Sequence, residues 1–436
     1  MNTAFYSGLS GLSAYSGALN IIGNNLANLN TTGFKGSEIS FEDLVTRTFG
    51  GVATNAAGNP MQTGLGILPN SISGVFTQGS IQSSQDATNV ALEGNGFFVV
   101  GDTAEDRFYT RAGNFFFNDN GELVNPAGKY VLGYTSKDAN GNIMASGPLT
   151  TLSFPANTVS APQETSFMEI YSNLNVRDAV GTTYTASSTV YDSKGAPHTV
   201  TITFTHTGLV GGVDQWTYAA AVPDADTNLG TAGSGALGTG TLSFDASGTL
   251  IAPAGNVDLY FTTAGVTSFA NGADAFTAAN PLSWRLYQTD GAILGAPIIT
   301  GYPIASSTSA TNTDGYPPGN LTSVVIDGDG ILQGVFSNGQ VEELAQLGIA
   351  QFNNPKGLIR LGRNLFAETN ASGTASIGAA NTGGRGAIVG SSLEASNVDM
   401  ASEFTKMLIY ERGYQANSKI ITTSDTISQT AIGLIR

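Results

Sequence analysis

The sequence predicts a mainly β protein with α-helical termini. The N- and C-terminal helices are expected to form a coiled-coil-like assembly domain, with nested β-domains between them. Apolar residues recur every seven positions near both ends of the chain, as in helices that pack along one seam. The residues between the ends form short apolar runs separated by turn residues, which is typical of β-sheets. With 436 residues, the chain is long enough for about two to four domains.

The N-terminal helix is predicted because apolar residues recur every seven positions, and further apolar residues lie three or four positions after them. Its glycines each weaken a helix by roughly 1 kcal/mol relative to alanine, so the segment needs a partner. No Asp, Glu, Lys or Arg precedes Lys35. A polar face without charge favours burial against protein, because unpaired charge is costly to bury. The predicted assembly residues are Phe5, Leu9, Leu12, Leu19, Ile22, Asn24, Asn25, Leu26, Asn28 and Leu29.

The C-terminal helix is the predicted partner and begins after a capping pattern at Ser396 and Asp399. Its own seam has the same seven-residue spacing, and its remaining positions carry charges that favour one face in water. A second interpretation stays open, in which the terminal helices only cap a monomeric core. The predicted assembly residues here are Met400, Phe404, Met407, Tyr414, Ile421, Ile432 and Ile435.

A repeated turn pattern marks the β-region. Asn118, Asp245 and Asp327 are each followed three residues later by Gly and five residues later by Leu. An Asx residue that opens a type I turn, followed by a glycine at positive φ, predicts a hairpin with a bulge. The pattern at Asp327 also permits a calcium loop, although the flanking strands and the residue at the twelfth position favour the hairpin.

The predicted division of the chain is nested. Residues 1–30 and 395–436 form the helical assembly domain, and residues 31–70 and 374–394 form an extended connector. Residues 71–150 and 321–373 form one β-domain, and residues 151–320 form an inserted outer β-domain. Low-complexity stretches near residues 223–241 and 304–320 are expected to be exposed loops or connections.

Composition excludes several classes of function. A net charge of −16, from 17 basic and 33 acidic residues, repels nucleic acid and anionic membranes. Without cysteine there is no disulfide, thiolate nucleophile or cysteine metal site. No apolar run approaches the ~20 residues of a membrane span, and no signal-peptide pattern precedes the first helix. We therefore expect any export to proceed without a cleaved signal peptide.

Sites of chemistry are scarce, so we predict no catalytic, cofactor-binding or metal-binding residues. His198 and His206 alternate with apolar residues in one predicted strand and lack a third ligand nearby in sequence, which favours a structural role. No phosphate-binding loop, dinucleotide fingerprint or serine nucleophile motif is present. A secreted β-rich carbohydrate-binding protein or hydrolase remains the alternative from a different class, since an acidic β-protein supplies candidate carboxylate pairs.

Four ordered motifs resemble the axial proteins of the bacterial flagellum, the family of rod and hook subunits. The stretch NIIGNNLANLNTTGFKG resembles the N-terminal signature of that family, and SNVDMASEFTKMLIYERGYQANSKIITTSDTISQTAI resembles its C-terminal signature. LEGNGFFVV with YTRAGNFFFNDNGELVNPAGKYVLGY, and SNGQVEELAQLGIAQFNNPKGLIRLGRNLFAETNASG, resemble the two halves of its common β-domain. The insertion with SSTVYDSKGAPHTVTITFTHTG resembles the outer domain of hook subunits, while distal rod subunits are the alternative within the family.

The resemblance implies a structural subunit rather than an enzyme. Hook subunits polymerise into a curved hollow tube that acts as a universal joint between the rotary motor and the filament. The implied location is the extracellular flagellar hook, reached through the flagellar type III export machinery. Implied partners are other copies of the chain, the distal rod, the hook cap and the hook–filament junction proteins. Asn24, Asn25 and Asn28 are expected to bond between subunits or else to end the helix, and Gly33, Phe34 and Gly36 to turn the chain into the connector.

Overall fold

The computed structural model describes residues 3–44, 47–48, 62–103, 105–139, 141–155, 157–290 and 293–433. The chain forms two compact units. The first comprises residues 1–156, 323–335 and 341–436, and the second comprises residues 157–322 and 336–340. Among the described residues, no helix combines the length and the apolar character needed to cross a membrane. The predicted assembly residue Ile435 lies outside the described residues, as do residues 45–46 and 49–61 of the predicted connector.

The described residues contain two α-helices and 34 strands. The first unit begins with α1 Thr3–Ala27 and continues with β1 Ser37–Asp43, β2 Arg47–Thr48, β3 Gln62–Thr63, β4 Ile67–Gly74, β5 Ile81–Ser83, β6 Val90–Glu93, β7 Phe97–Gly101, β8 Arg107–Thr110, β9 Phe116–Phe117, β10 Leu123–Val124, β11 Tyr130–Tyr134 and β12 Thr150–Thr151. The second unit contains β13 Val159–Ser160, β14 Phe167–Asn173, β15 Thr183–Tyr191, β16 Pro197–Val210, β17 Val213–Ala221, β18 Ala236–Phe244, β19 Leu250–Ala252, β20 Val257–Leu259, β21 Leu282–Arg285, β22 Tyr287–Asp290, β23 Ile293–Pro297, β24 Ile299–Thr300 and β25 Ser307–Thr313. The chain then returns through β26 Gly319–Ile326, β27 Ile331–Phe336, β28 Val341–Leu347, β29 Ile349–Gln351, β30 Ile359–Gly362, β31 Leu365–Ala367, β32 Ser376–Gly378, β33 Ala387–Gly390, β34 Ser392–Glu394 and α2 Met400–Gly433.

The first unit is built from strands of both chain halves. Its main sheet runs β27-β28-β11-β7-β8-β31-β30, so three strands of the early segment lie between two pairs of strands from the returning segment. Strand β7 is buried along its whole length because it lies in the middle of this sheet. Its apolar side chains share a core with residues of the returning half, including Phe352, Leu358 and Phe366. The nested arrangement therefore places α1 and α2 on the same unit.

The second unit packs two sheets around one apolar core. Strands β15 to β19 form an antiparallel sheet in chain order, and strands β20, β21, β14 and β24 form the other, with β25 paired to β14. Strands β15, β16 and β17 alternate buried and exposed residues, as one-sided burial requires. The indole of Trp284 from the second sheet lies 5.1 Å from the ring of Tyr218 on the first, and both Trp216 and Trp284 are fully buried. This unit therefore has a hydrophobic core of its own.

The three predicted hairpin turns are present and have the predicted chemistry. The side-chain oxygen Oδ1 of Asn118, Asp245 and Asp327 accepts backbone N–H bonds from the residues two and four positions later. The glycines that follow have φ values of 76°, 81° and 75°. The Oδ1 atoms of Asn125 and Asp192 accept the same pair of bonds, so the motif occurs more often than the sequence search found. Asp327 is thus a turn residue rather than part of an EF-hand-like loop.

The structure differs from the predicted connector. Within residues 374–394, strands β32, β33 and β34 pair with β29, β6 and β5, so this segment belongs to the β-structure of the first unit. The early segment contains the antiparallel hairpin of β1 and β4, in which Ser37 pairs with Gly74. The sequence predicts connectors here because these segments are polar and rich in glycine. In the structure, their backbone N–H and C=O groups instead form hydrogen bonds with partner strands elsewhere in the chain.

Candidate assembly interface

Helices α1 and α2 pack on one another through a face of α1 made mostly of small residues. This small-residue face consists of Gly8, Gly11, Ala14, Ala18, Ile22 and Asn25, which are all buried. A Cβ added to Gly8 would lie 3.3 Å from Ile420 Cγ2, and one added to Gly11 would lie 2.6 Å from Asn417 Oδ1. On the other helix, a Cβ at Gly413 would lie 2.8 Å from the ring of Tyr15. The helices therefore approach closely because hydrogen replaces a side chain at three contact positions.

The large apolar residues of the two predicted seams do not make most of this contact between α1 and α2. Only Ile22 and Asn25 of the predicted N-terminal assembly residues are buried, whereas Leu9 is 46% exposed. The remaining large residues of that seam are half-buried, namely Phe5, Leu12, Leu19, Leu26 and Leu29. On α2, Met407 and Ile421 are half-buried, while the exposed members are Met400, Phe404, Tyr414 and Ile432. The pairing of the terminal helices is present, and within one chain small residues of α1 form most of it. The assignment of the large apolar residues to an interface between copies stays a prediction.

An aromatic cluster fixes the helix pair to the hairpin of β1 and β4. The ring centroids of Tyr15, Phe41 and Tyr410 lie 5.8 to 6.0 Å from one another. These residues come from α1, β1 and α2. Tilted and edge-on aromatic pairs at this spacing are favourable beyond their burial. The cluster therefore ties three elements together near the middle of α1.

Asn25 ends the small-residue face and is bonded entirely within its own chain. Its Nδ2 donates to the backbone oxygen of Ser37 over 2.8 Å and to Glu403 Oε2 over 2.9 Å, and its Oδ1 accepts from the N–H of Ser37 over 2.9 Å. Both amide protons and the amide oxygen of Asn25 thus have partners within one chain, and a bond from Asn25 to another subunit stays a prediction. Glu403, which the sequence placed on a face in water, is 7% exposed at the other side of this contact.

Asn24 and Asn28 close the end of the helix. Asn28 Nδ2 donates to the backbone oxygen of Asn24 over 2.9 Å and to Asn24 Oδ1 over 2.7 Å. The Oγ1 of Thr31 donates to Asn28 Oδ1 over 3.1 Å. The backbone oxygen of Asn24 also accepts the N–H of Asn28 over 3.2 Å, so the amide bonds reinforce the last turn of α1. Their geometry matches the alternative in which these two amides end the helix.

The turn after α1 brings the backbone against the β-sheet. Gly33 has a φ of 66°, and a Cβ there would lie 2.5 Å from the backbone nitrogen of Ala112. Gly36 is buried, and its φ lies outside the left-handed region. Its N–H donates to Asn397 Oδ1 over 2.8 Å. Phe34, between the two glycines, is buried with the guanidinium of Arg360 lying 5.8 Å from its ring centroid.

Lys35, Arg111 and Glu394 form a buried triad beside this turn. Lys35 Nζ donates to Glu394 Oε1 over 2.6 Å and to the backbone oxygen of Thr77 over 2.8 Å. Arg111 Nη1 lies 3.5 Å from Glu394 Oε2, and its Nη2 donates to the backbone oxygen of Gly94 over 2.6 Å. The side chains of Lys35 and Glu394 are both 0% exposed. The triad therefore joins the segments that lead out of α1 and into α2.

The triad holds two cations and one anion away from water. Burial lowers the pKa of Lys35 below its usual value, Glu394 opposes that change, and Arg111 adds to it. Burial likewise lowers the pKa of Arg111, again opposed by Glu394. Desolvation thus outweighs the attraction of the single carboxylate for each cation. Glu394 thus supplies the negative charge of the triad that stabilises the charged forms of Lys35 and Arg111.

Large apolar side chains remain exposed on both terminal helices. Leu408, Ile409 and Ile427 of α2 are 55%, 59% and 59% exposed, and Tyr6 of α1 is 48% exposed. Ala4 of α1 lines an apolar groove of about 470 Å³ together with Ala416, Ile420 and Ile427 of α2. Exposed apolar patches of this kind mark surfaces for association. The helix pair thus presents apolar surface that one chain leaves uncovered.

Both histidines serve structural contacts in the second unit. The two ring nitrogens of His198 lie 3.0 Å from Asp226 Oδ2 and 3.0 Å from Asp192 Oδ2, and its ring stacks on Phe269. His206 Nε2 lies 2.9 Å from Asp214 Oδ1. Within the described ranges, no group of three His, Asp or Glu residues is arranged to hold a metal ion.

Comparison with known proteins places this architecture in a family. Residues 5–35 match the family described as flagella basal body rod protein, and residues 389–434 match the C-terminal family of flagellar basal body rod FlgEFG proteins. Residues 91–173 match the D1 domain of flagellar hook protein FlgE/F/G, and residues 158–316 match the FlaE D2 domain of flagellar basal body protein. The flagellar hook protein FlgE of Treponema pallidum is 36% identical over 472 residues, which cover 100% of both chains. The chain belongs to the flagellar hook protein family.

Further hook proteins are also similar to this chain. FlgE of Escherichia coli is 33% identical, with 99% of this chain and 100% of that protein covered. The crystal structure of Helicobacter pylori flagellar hook protein FlgE2 is 17% identical and aligns with a TM-score of 0.46 over 72% of this chain and 100% of that one. The prediction of a hook subunit is confirmed, and the alternatives of a distal rod subunit or a secreted hydrolase are not supported.

Sequence reasoning missed two groups of residues in this member of the hook protein family. The small-residue face gave no signal in a search for large apolar residues, although its glycines and alanines recur at helical spacing. The triad was missed because its members lie far apart in the sequence, with 359 positions between Lys35 and Glu394. The one available signal was that Lys35 is the first charge in the chain and directly follows a turn.

Proposed function

We propose that this chain is the repeating structural subunit of the flagellar hook. Many copies polymerise into a curved hollow tube that acts as a universal joint and transmits motor torque to the filament. The observation that carries this proposal is that α1 and α2 pair largely through small residues of α1, which leaves several large apolar side chains of both helices exposed and others half-buried. Neighbouring copies would cover these side chains when the helix pairs assemble into the inner tube.

The energetics favour assembly over an isolated chain. Burying each large apolar side chain contributes about 1.5–3 kcal/mol, so four or five such residues contribute about 6–15 kcal/mol, which is of the same order as the ~4–15 kcal/mol that association costs. Repeating the contact along a polymer adds further interfaces for each subunit. The role is therefore structural, without a catalytic centre.

The subunit would act outside the cell, between the rod and the filament. Its proposed neighbours are other copies of itself, the distal rod, the hook cap and the hook–filament junction proteins. Transport through the flagellar type III export machinery fits a chain without cysteine, because no disulfide has to be broken before it is threaded as an unfolded chain. Membership of the hook protein family supports these proposals.

Polymerisation of the purified chain tests the function directly. We expect concentrated protein to form hollow curved tubes visible by negative-stain electron microscopy. A variant with Leu408→Ser and Ile427→Ser should remain folded and monomeric, because these side chains are exposed on α2. Leu209→Ser with Val210→Ser is the matched control on the second unit, where both residues are also exposed. Tubes formed equally well by the α2 variant, or no tubes from the native chain, would contradict the proposal.

A further inference from the structure

A polar cleft lies in the first unit between the end of α1 and the turn that joins β30 to β31. Its volume is about 680 Å³, within the roughly 300–1,000 Å³ typical of ligand pockets. Asparagines contribute much of its lining, including Asn24, Asn28, Asn114 and Asn364, together with Arg360 and Arg363. The described residues that line this asparagine cleft include no aspartate or glutamate. In a chain with a net charge of −16, such a cleft favours an anionic occupant.

Arg363 presents a cation without a partner at this cleft. It is exposed, and within the described chain it makes no ion pair, side-chain hydrogen bond or cation–π contact, unlike Arg360. Its φ is 51°, in the left-handed region that is uncommon for an arginine, and Asn364 follows with a φ of 58°. A strained non-glycine residue at a hairpin turn costs about 1–3 kcal/mol, so its side chain is a candidate for function.

The complementary surface is the tip of the β7–β8 hairpin. This acidic tip carries Asp102, Glu105 and Asp106, which are all exposed. Asp102 is paired with Lys129, whereas the carboxylates of Glu105 and Asp106 make no ion pair within the described chain. Thr103 Oγ1 accepts the backbone N–H groups of Glu105 and Asp106 over 3.3 Å each. Two exposed carboxylates without an ion pair therefore follow one another directly before β8.

The acidic tip and the asparagine cleft lie at opposite ends of one pair of strands. Strand β8 begins at Arg107, next to the tip, and ends at Thr110, which lines the cleft. Strand β31 pairs with it through Phe366 and Tyr109, and begins beside the Arg363–Asn364 turn. Three residues of strand span about 10 Å. A single copy therefore cannot bring its own tip into its own cleft.

We propose that the acidic tip of one copy inserts into the asparagine cleft of the next copy. The carboxylates of Glu105 and Asp106 pair there with the guanidinium of Arg363, and the asparagine amides bond the backbone of the tip. A knob at one end and a socket at the other form a heterologous contact, which generates open helical polymers rather than closed dimers. This inference rests on the proposed function. The contact lies between the first units of successive subunits in the polymer.

Disulfide trapping tests the contact, because the native chain has no cysteine. A chain carrying both Glu105→Cys and Arg363→Cys should give a ladder of covalent oligomers on mild oxidation of assembled tubes. An equal mixture of the two single variants should stop at covalent dimers. The matched control replaces Arg363→Cys with Lys356→Cys, at an exposed lysine outside the cleft, and should give no ladder. Tubes from the double variant that fail to give a ladder would overturn the inference while leaving the proposed function intact.

Charge variants supply an independent measure. Arg363→Gly removes the cation and also relieves the strained backbone, so the folded monomer should be at least as stable as the native chain. Its critical concentration for polymerisation should nevertheless rise by about two- to fivefold, which is the effect of an exposed ion pair. Arg363→Glu should raise the critical concentration further, and Glu105→Arg in the same chain should restore it.

Lys356→Glu and Asp119→Arg are the matched charge controls and should leave the critical concentration unchanged. A rise equal to that of Arg363→Glu in these controls would show a general effect of net charge and would overturn the inference. So would an Arg363→Gly chain that polymerises like the native one. If the native chain forms no polymer under any condition, both the inference and the proposed function fail.

Discussion

Asn25 on α1 and Glu403 on α2 meet in a buried hydrogen bond of 2.9 Å that joins the two ends of the chain across 378 positions of sequence. The same amide also holds both backbone groups of Ser37, where the chain enters β1. One side chain therefore sets the position of the C-terminal helix and of the first strand. This makes Asn25 the most informative position at which to test the helix pair.

Replacing Asn25 with alanine should destabilise the helix pair by about 1–3 kcal/mol, because Glu403 and the backbone of Ser37 lose their buried partner. Asn28→Ala is the matched control at a less buried amide at the end of the same helix, and should change the free energy of unfolding much less. Urea denaturation followed by circular dichroism at a helical wavelength measures both values. Equal effects of the two substitutions would show that the buried amide has no special part in the pairing.

A larger side chain on the small-residue face should separate the helices. Gly11→Leu places its side chain against Asn417, and overpacking of this kind costs about 1–3 kcal/mol. Gly17→Leu is the matched control, since a Cβ at Gly17 meets nothing within 4 Å and should only improve helix propensity. Thermal melting of the helical signal should therefore move in opposite directions for the two variants. A lower melting temperature for both would indicate that the glycines act through helix flexibility instead.

Removing the anion of the buried triad should cost more than removing one of its cations. Glu394→Gln leaves two buried cations without a carboxylate and should destabilise by about 3–5 kcal/mol. Lys35→Met leaves the Arg111–Glu394 pair balanced and should cost about 1–3 kcal/mol, mainly for the lost hydrogen bonds. Lys129→Met, which breaks the more exposed pair with Asp102, is the control and should cost about 0–1 kcal/mol. Urea denaturation gives the free energy of unfolding of each variant. A larger loss of that free energy for Lys35→Met than for Glu394→Gln would refute this account of the triad.

Acidification should weaken the second unit through Asp192. Burial alone would raise the pKa of the Asp192 carboxyl, but hydrogen bonds from Asn271, His198 and two backbone N–H groups outweigh it and hold that pKa below its usual value of 3.8. A carboxyl with a lower pKa in the folded state contributes stability that is present above the unfolded pKa and is lost as the pH falls through the folded pKa. We therefore expect this contribution to disappear below pH 3.8.

The two tryptophans make this measurement specific to the second unit, because Trp216 and Trp284 are the only tryptophans in the sequence and both are buried there. Unfolding followed by tryptophan fluorescence should show that Asp192→Asn costs stability at neutral pH. The difference from the native chain should shrink as the pH is lowered. A constant difference at every pH would exclude ionisation of Asp192 as the cause.

Removing most of the second unit should leave assembly intact while altering the mechanics of the tube. Gln163 and Tyr316 exchange backbone hydrogen bonds of 3.1 Å, so residues 164–315 can be replaced by two glycines without straining the ends. We expect such a chain to form tubes that differ in curvature or stiffness, as seen by electron microscopy. A complete loss of tubes, with the first unit still folded, would show that the second unit is needed for assembly itself.

The fold was predictable from the sequence where the signal is local. The Asx-x-x-Gly turns at Asn118, Asp245 and Asp327 form because one side chain accepts two nearby backbone N–H groups, and that chemistry can be recognised within five residues. The helical termini were predictable for the same reason, since apolar spacing reports helical period.

The contacts between distant segments could not be predicted in the same way. The spacing of apolar residues draws attention to large side chains, but α1 contacts α2 through small residues such as Gly8, Gly11 and Ala14. The predicted contact residues were therefore mostly large side chains that lie outside the small-residue face. Lys35 and Glu394 are 359 positions apart in sequence, and nothing in the residues around either one identifies the other as its partner. The strands within residues 374–394 were likewise missed because their partners lie in the early half of the chain.

The segments that leave α1 and enter α2 run side by side. The N–H of Gly33 donates to the backbone oxygen of Glu394 over 2.7 Å, and the N–H of Asn397 donates to that of Phe34 over 3.3 Å. A pull on either helix is therefore shared between two adjacent segments and the salt-bridged side chains between them. Sliding these segments lengthwise past each other breaks their hydrogen bonds and the Lys35–Glu394 pair together, so the junction should yield late under mechanical strain.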